Sequence, residues 1–323
     1  MSNQTVVRPS KPSSFWTRLP DRVDKRVRVI AWLSLISQVG IVATGGAVRL
    51  TASGLGCATW PRCNGDSWVA TPESEWHGMI EFGNRLLTFV LTAIAIVAFL
   101  YVIRFRKQRP DLFWLTFSLG MGIPAQAVIG GITVLTGLNP YIVGLHFILS
   151  AALVVLATVF VYNVYHGRGR GLLVDPLVAG LAWLVALASV VSVVLGVLTT
   201  GAGPHAGHDG KTDDAPVMRN GLDAIVMQHL HSYPGYIMLG LIVLLLIFVI
   251  IAKRRRSIRY TVGLLAVTVV QVIVGVAQAR LGLPELLVGI HMVLACVTLS
   301  AVTAVLLTLR TTEGQPPQPG IKP

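Results

Sequence analysis

A chain of 323 residues that is 54% hydrophobic and 12% charged, with a mean hydropathy of +0.71, is not a soluble globular domain; such a domain carries about 25% charged residues. A net charge of +12 would suit a nucleic-acid binder, but the cations are spread through the connections between long apolar runs, which excludes that reading. A membrane-crossing helix needs about 20 mostly apolar residues. Eight runs meet that length: 29–50, 79–103, 113–136, 141–164, 175–199, 224–252, 260–279 and 285–309.

Residues 1–28 form a polar arm that precedes the first run. That run is too long for the apolar stretch of a cleavable signal peptide, so none is expected. The arm and the Pro/Gly/Gln-rich tail 311–323 are expected to lack ordered structure. Orientation follows from charge. Twenty of the 26 basic residues fall in the arm, in the connections after the second, fourth and sixth runs (Arg104 to Arg109, Arg168 and Arg170, Lys253 to Arg259) and in the tail. These all lie on one side of an even-numbered bundle. The positive-inside rule makes that side cytoplasmic, with both termini, and assigns the chain to the cell membrane.

The first connection on the other side holds Gly56-Cys57-Ala58-Thr59-Trp60-Pro61-Arg62-Cys63. That face is oxidising, which suits a short-loop disulfide; two free thiols or a metal-binding pair are the alternatives. Cys296, deep in the eighth run, reads as a core residue.

The eight runs divide into two fours, and the halves repeat. The segment from Gly137 to His146 lies over the segment from Gly282 to His291, with one inserted residue early in the turn. His146 and His291 are 145 residues apart, and the same offset pairs Gln126 with Gln271 and Gly130 with Gly275. An offset of 147 pairs Asn84 with His231 and brings Glu81 over Gln228. Halves with an even number of spans share one orientation, so a pseudo-twofold axis along the membrane normal is expected. The expected fold is all-α and integral to the membrane, two pseudo-symmetric four-helix bundles at 29–166 and 167–310.

Glu81, Asn84, His146, His231 and His291 each fall within the first two or so turns from the outer side. At 1.5 Å per residue they lie about 5–11 Å below the interface. Polar groups there need interior partners. The second half offers His231 and His291, two imidazoles that can ligate one heme iron axially between helices read as adjacent and parallel. Gly235, Gly275 and Gly289 would admit a flat macrocycle. A hydrogen-bonded core histidine is the plainer reading of any one of them. The first half offers one imidazole, His146, together with Glu81 and Asn84 on a shared helix face. A single good ligand suits a loosely held macrocycle, as a substrate would be. Glu81 could instead be the ion-pair partner of Arg85 or Arg49. His77 competes with Asn84 as a ligand, and His229 with His231. His205 and His208 sit in a Gly-rich outer loop, either solvated or a surface metal site, and His166 carries no signal.

Taken together, residues 51–57 running to Trp60-Pro61-Arg62-Cys63, Glu81-x-x-Asn84-Arg85, Leu145-His146, residues 201–207, Leu230-His231 and Ile290-His291 resemble the heme A synthase family, in particular its actinobacterial-looking form. The resemblance covers nearly all eight spans. It implies oxidation of the C8 methyl of heme O to a formyl group, giving heme A for cytochrome c oxidase. It implies heme b held by His231 and His291, a substrate heme held by His146 with Asn84 and Arg85 nearby, Glu81 as catalytic carboxylate, and a functional Cys57–Cys63 disulfide. Asn84 stands where that family usually has a second histidine, and a further cysteine pair of some members is missing from the fifth–sixth connection. Heme O synthase and cytochrome c oxidase assembly factors are the implied partners; membrane lipid surrounds the chain, and an oligomer is compatible with it. A diheme b-type electron-transfer protein and a transporter are the competing readings. The first would want two ligand pairs, and the second ionisable groups at the membrane midplane.

Overall fold

The computed structural model describes residues 15–72, 75–169, 171–206 and 218–310. Its helices are α1 (Phe15–Arg18), α2 (Lys25–Leu50), α3 (Glu75–Ile103), α4 (Pro110–Leu135), α5 (Pro140–His166), α6 (Pro176–Ala202), α7 (Ala224–Ile251), α8 (Arg255–Arg280) and α9 (Glu285–Thr308). The eight from α2 to α9 are each long and apolar enough to cross a membrane. The chain is a multi-pass membrane protein.

Local chemistry sets the ends. Asn139 and Asp175 cap α5 and α6 by accepting from the backbone two residues on, and Pro140 and Pro176 occupy the first helical position. Asp223 caps α7 through the Val226 N–H at 2.8 Å. Asp24 does the same for α2 through Val27, so this helix starts inside the basic arm, at Lys25, ahead of the apolar run. Residues 15–24, read from sequence as part of an unstructured arm, hold the one-turn helix α1, and the Leu19 carbonyl accepts from Arg104 at 2.5 Å. Hydropathy misses this because Lys25, Arg26 and Arg28 interrupt the apolar pattern. The arm before residue 15, the tail after 310, Arg170 and the loop residues Gly207, His208 and Asp209 lie outside the described residues.

Helices α2, α3, α4 and α5 touch as a closed ring, and α6, α7, α8 and α9 form another. The rings meet through α5 with α9, α2 with α9, and α5 with α6. Exchanging the halves leaves this neighbour pattern unchanged, which is consistent with the expected pseudo-twofold. The matching turns agree in detail. Gly137-Leu138 and Gly282-Leu283 both adopt positive φ, and the Leu138 and Leu283 N–H groups each return to a carbonyl five residues back at 2.8 Å. Glycine supplies the left-handed step at no steric cost.

Each half buries its own apolar cluster towards the end where the termini lie. One includes Val27, Val102, Phe105, Leu112 and Phe160; the other includes Val178, Ile242, Leu245, Leu264 and Val305. The opposite end is left to polar residues and an open interior. Cys296 is a buried free thiol in the first cluster, as its place in the last span suggested.

Candidate functional site

Histidines in an apolar helix need partners, and the helix ring decides what they meet. His231 on α7 and His291 on α9 do not stand on adjacent helices, as the sequence reading had them: α7 and α9 face each other diagonally across the second ring, and their backbones do not meet. Sequence spacing reports depth but not azimuth, which is why the diagonal was missed. The two imidazoles approach to 6.0 Å between ring centres at an interplanar angle of 83°. Two axial bonds of about 2 Å to one metal, plus the ring radii, give about 6 Å. The His231 Nδ1 lies 2.9 Å from the Ser192 carbonyl, an arrangement that fixes Nδ1 as the donor and leaves Nε2 its lone pair. His291 Nδ1 is buried with no partner, and Gln271 Nε2 lies 3.3 Å from its Nε2. The cavity around the pair is lined by Ser192, Gly196, Met238, Gln271 and Ala295. Among the described residues no three His, Cys, Asp or Glu side chains gather as a metal site. Two imidazoles over such a cavity therefore fit a metal that brings its own equatorial ligands, as heme does.

The first ring differs. Glu81 on α3 is 5% exposed, and its Oε2 accepts from the Cys57 backbone N–H at 2.8 Å. Its Oε1 accepts from Arg85 Nε at 3.1 Å and from a second Arg85 nitrogen. Arg85 also donates to the carbonyls of Thr59 and Arg62. The ion pair expected as the alternative role of Glu81 is thus made, with Arg85 and not Arg49. A hydrogen-bonded and paired carboxylate remains able to act on a substrate, since Oε2, which accepts from the Cys57 N–H, has a second lone pair.

Asn84 accepts from Thr44 of α2 at 2.7 Å. His77 pairs with Ser53 at 3.0 Å and stacks on Trp76. His146 Nδ1 is buried and unpartnered, with Gln126 and Ser150 on its carbonyl. Neither Asn84 nor His77 is hydrogen-bonded to His146. Cys57 and Cys63 form a disulfide and are both fully buried, which removes the free-thiol and metal-pair alternatives. Closing so short a loop stabilises by about 2 kcal/mol. The loop also sets the Cys57 N–H on Glu81. Reduction, or Cys63→Ser, should therefore slow any chemistry that depends on Glu81 several-fold and leave the His231–His291 pair undisturbed; an unchanged rate under reductant would refute the link.

A glycine pattern went largely unread. A Cβ on Gly196 would come 2.9 Å from His231, one on Gly275 3.0 Å from His291, and one on Gly130 3.3 Å from His146. Gly45 stands in the same relation to Asn84 at 3.9 Å. Each of the four positions is thus faced by a glycine of the preceding helix. The Gly130/Gly275 repeat was the available signal. Gly235 and Gly289, by contrast, face Ser192 and Leu50. Gly196→Val should push His231 off its position and weaken any metal or cofactor held between His231 and His291 far more than Gly196→Ala does, as read in the absorption spectrum of purified protein.

His205, read as a loop histidine, lines the cavity, its Nε2 2.9 Å from the Leu283 carbonyl. His229 turns to its own helix at the Ile225 carbonyl and is exposed. His166 stacks on Tyr162, far along α5 from His146.

Residues 28–303 match the family model described as cytochrome oxidase assembly protein, COX15-CtaA. Similar curated proteins include the heme A synthase of Lysinibacillus sphaericus, 34% identical over 144 residues, covering 42% of this chain and 46% of that protein. That of Alkalihalophilus pseudofirmus is 29% identical over 143 residues, 43% and 48% of the two chains. That of Listeria welshimeri is 32% identical over 151 residues, 43% and 47%. The chain thus spans about half the length of the curated relatives it matches.

Proposed function

Because this chain belongs to the COX15-CtaA family of cytochrome oxidase assembly proteins, we propose that it is a heme A synthase, oxidising the C8 methyl of heme O to a formyl group and so supplying heme A to cytochrome c oxidase. The observation that carries this reading is the asymmetry of the halves. One presents two imidazoles across a cavity; the other presents a single buried imidazole and a buried carboxylate.

Heme supplies the redox chemistry when bound. His231 and His291 hold heme b, with Ser192 setting the His231 tautomer. His146 holds the substrate heme, and Gly130 leaves its ring room. Glu81, which pairs with Arg85 and accepts from the Cys57 N–H, stabilises positive charge developing at the methyl carbon and receives the protons that oxidation releases. Asn84, tied to Thr44, borders that site without ligating iron. The disulfide loop holds the Glu81 donor in place.

The basic connections support a topology with both termini in the cytoplasm and both sites towards the outer face of the cell membrane. Delivery by a heme O synthase and hand-over to oxidase assembly factors fit that position. Extraction of the hemes bound to purified protein tests the reading. Heme b together with heme O or heme A is expected; heme b alone would mark a diheme electron-transfer protein instead.

A further inference from the structure

Arg49 lies in the last turn of α2, a helix of the first half, yet its side chain lines the cavity of the second half beside His205, His231 and His291. Its Nε donates to the His205 carbonyl at 2.6 Å and its Nη2 to the Ala206 carbonyl at 2.9 Å. Neither acceptor carries charge. The ion pairs among the described residues are Arg26–Asp24, Arg85–Glu81 and Arg109–Asp111, and Arg49 is in none of them. A guanidinium inside a membrane bundle is costly unless an anion meets it. It also has more N–H donors than two carbonyls use, in a fork that matches a carboxylate.

We propose that Arg49 binds a carboxylate substituent of the macrocycle held by His231 and His291, so that the first half closes the cofactor site of the second. This rests on the heme reading of that cavity. Heme carries carboxylates on one edge, and a guanidinium in the cavity lining offers that edge a paired donor. The same guanidinium holds residues 205–206, and His205 holds the α8–α9 turn at Leu283. Cofactor, loop and α2 thus share one network. A cation at this place favours the reduced, less positive heme, so its loss lowers the midpoint potential.

The test uses full-length protein purified with its heme, as wild type, Arg49→Gln and Arg49→Lys. The midpoint potential of the low-spin heme and the rate of its transfer to an excess of apomyoglobin are measured. Arg49→Gln should lower the potential and speed heme loss on the order of tenfold. Arg49→Lys should restore most of the potential, which a merely structural role would not do. Protein refilled with heme whose carboxylates are esterified should lose it equally fast with and without Arg49. Equal potentials and loss rates in wild type and Arg49→Gln overturn the proposal. So does faster loss of the esterified heme from Arg49→Gln than from wild type, since Arg49 would then act through the loop alone. A wild-type protein with no low-spin heme, or one whose spectrum survives His231→Ala, removes the cofactor reading and the proposal with it.

Discussion

Glu81→Gln is expected to slow conversion of heme O to heme A by about 10²–10⁴-fold, the usual range for loss of a positioned acid–base group. The amide keeps the size of the side chain and can still accept from the Cys57 N–H, so the loop need not move. What disappears is the negative charge and the proton acceptor. Arg85 keeps the Thr59 and Arg62 carbonyls but loses its counter-charge. Glu81→Ala adds a penalty of about 3 kcal/mol, because it leaves a half-buried cation unpaired. The heme spectrum of the second half separates the two effects. In Glu81→Gln it should equal wild type while turnover collapses; a wild-type rate would end the catalytic role of Glu81.

His231→Ala and His291→Ala should each abolish the low-spin heme of the second half, and with it turnover. The rings stand 6.0 Å apart, and the other histidine that lines this cavity, His205, has its Nε2 engaged with the Leu283 carbonyl. His229 points to its own helix backbone and cannot replace His231. Each truncation also empties the space against Gly196 or Gly275 that the imidazole fills. Absorption spectra of the purified variants provide the readout. Retention of the six-coordinate spectrum in either variant would show that the iron is held elsewhere.

The eight helices were legible because a membrane span is long and uniformly apolar. The depth of Glu81, His146, His231 and His291 followed from helix rise and turn position. The disulfide was one of several options that the loop allowed. Azimuth was not legible: a helix in a four-membered ring meets two neighbours and misses the third, and hydropathy does not say which. For that reason α7 and α9 were taken as neighbours. Gly45 and Gly196 escaped because they are 151 residues apart, while the clear repeat runs at 145; connections of unequal length shift the register. Arg49 and His205 escaped for another reason. Each acts on the other half or on a loop, through bonds to backbone carbonyls, and those contacts leave no pattern in the chain.

Co-expression with a heme O synthase, in a host that makes no heme A, followed by extraction and chromatography of the membrane hemes, bears most directly on the central claim. Heme A should appear with the wild-type chain and be absent with Glu81→Gln, although both proteins insert and both carry the low-spin heme. Heme O persisting with no heme A, in membranes that contain the folded wild-type protein, would contradict the assignment.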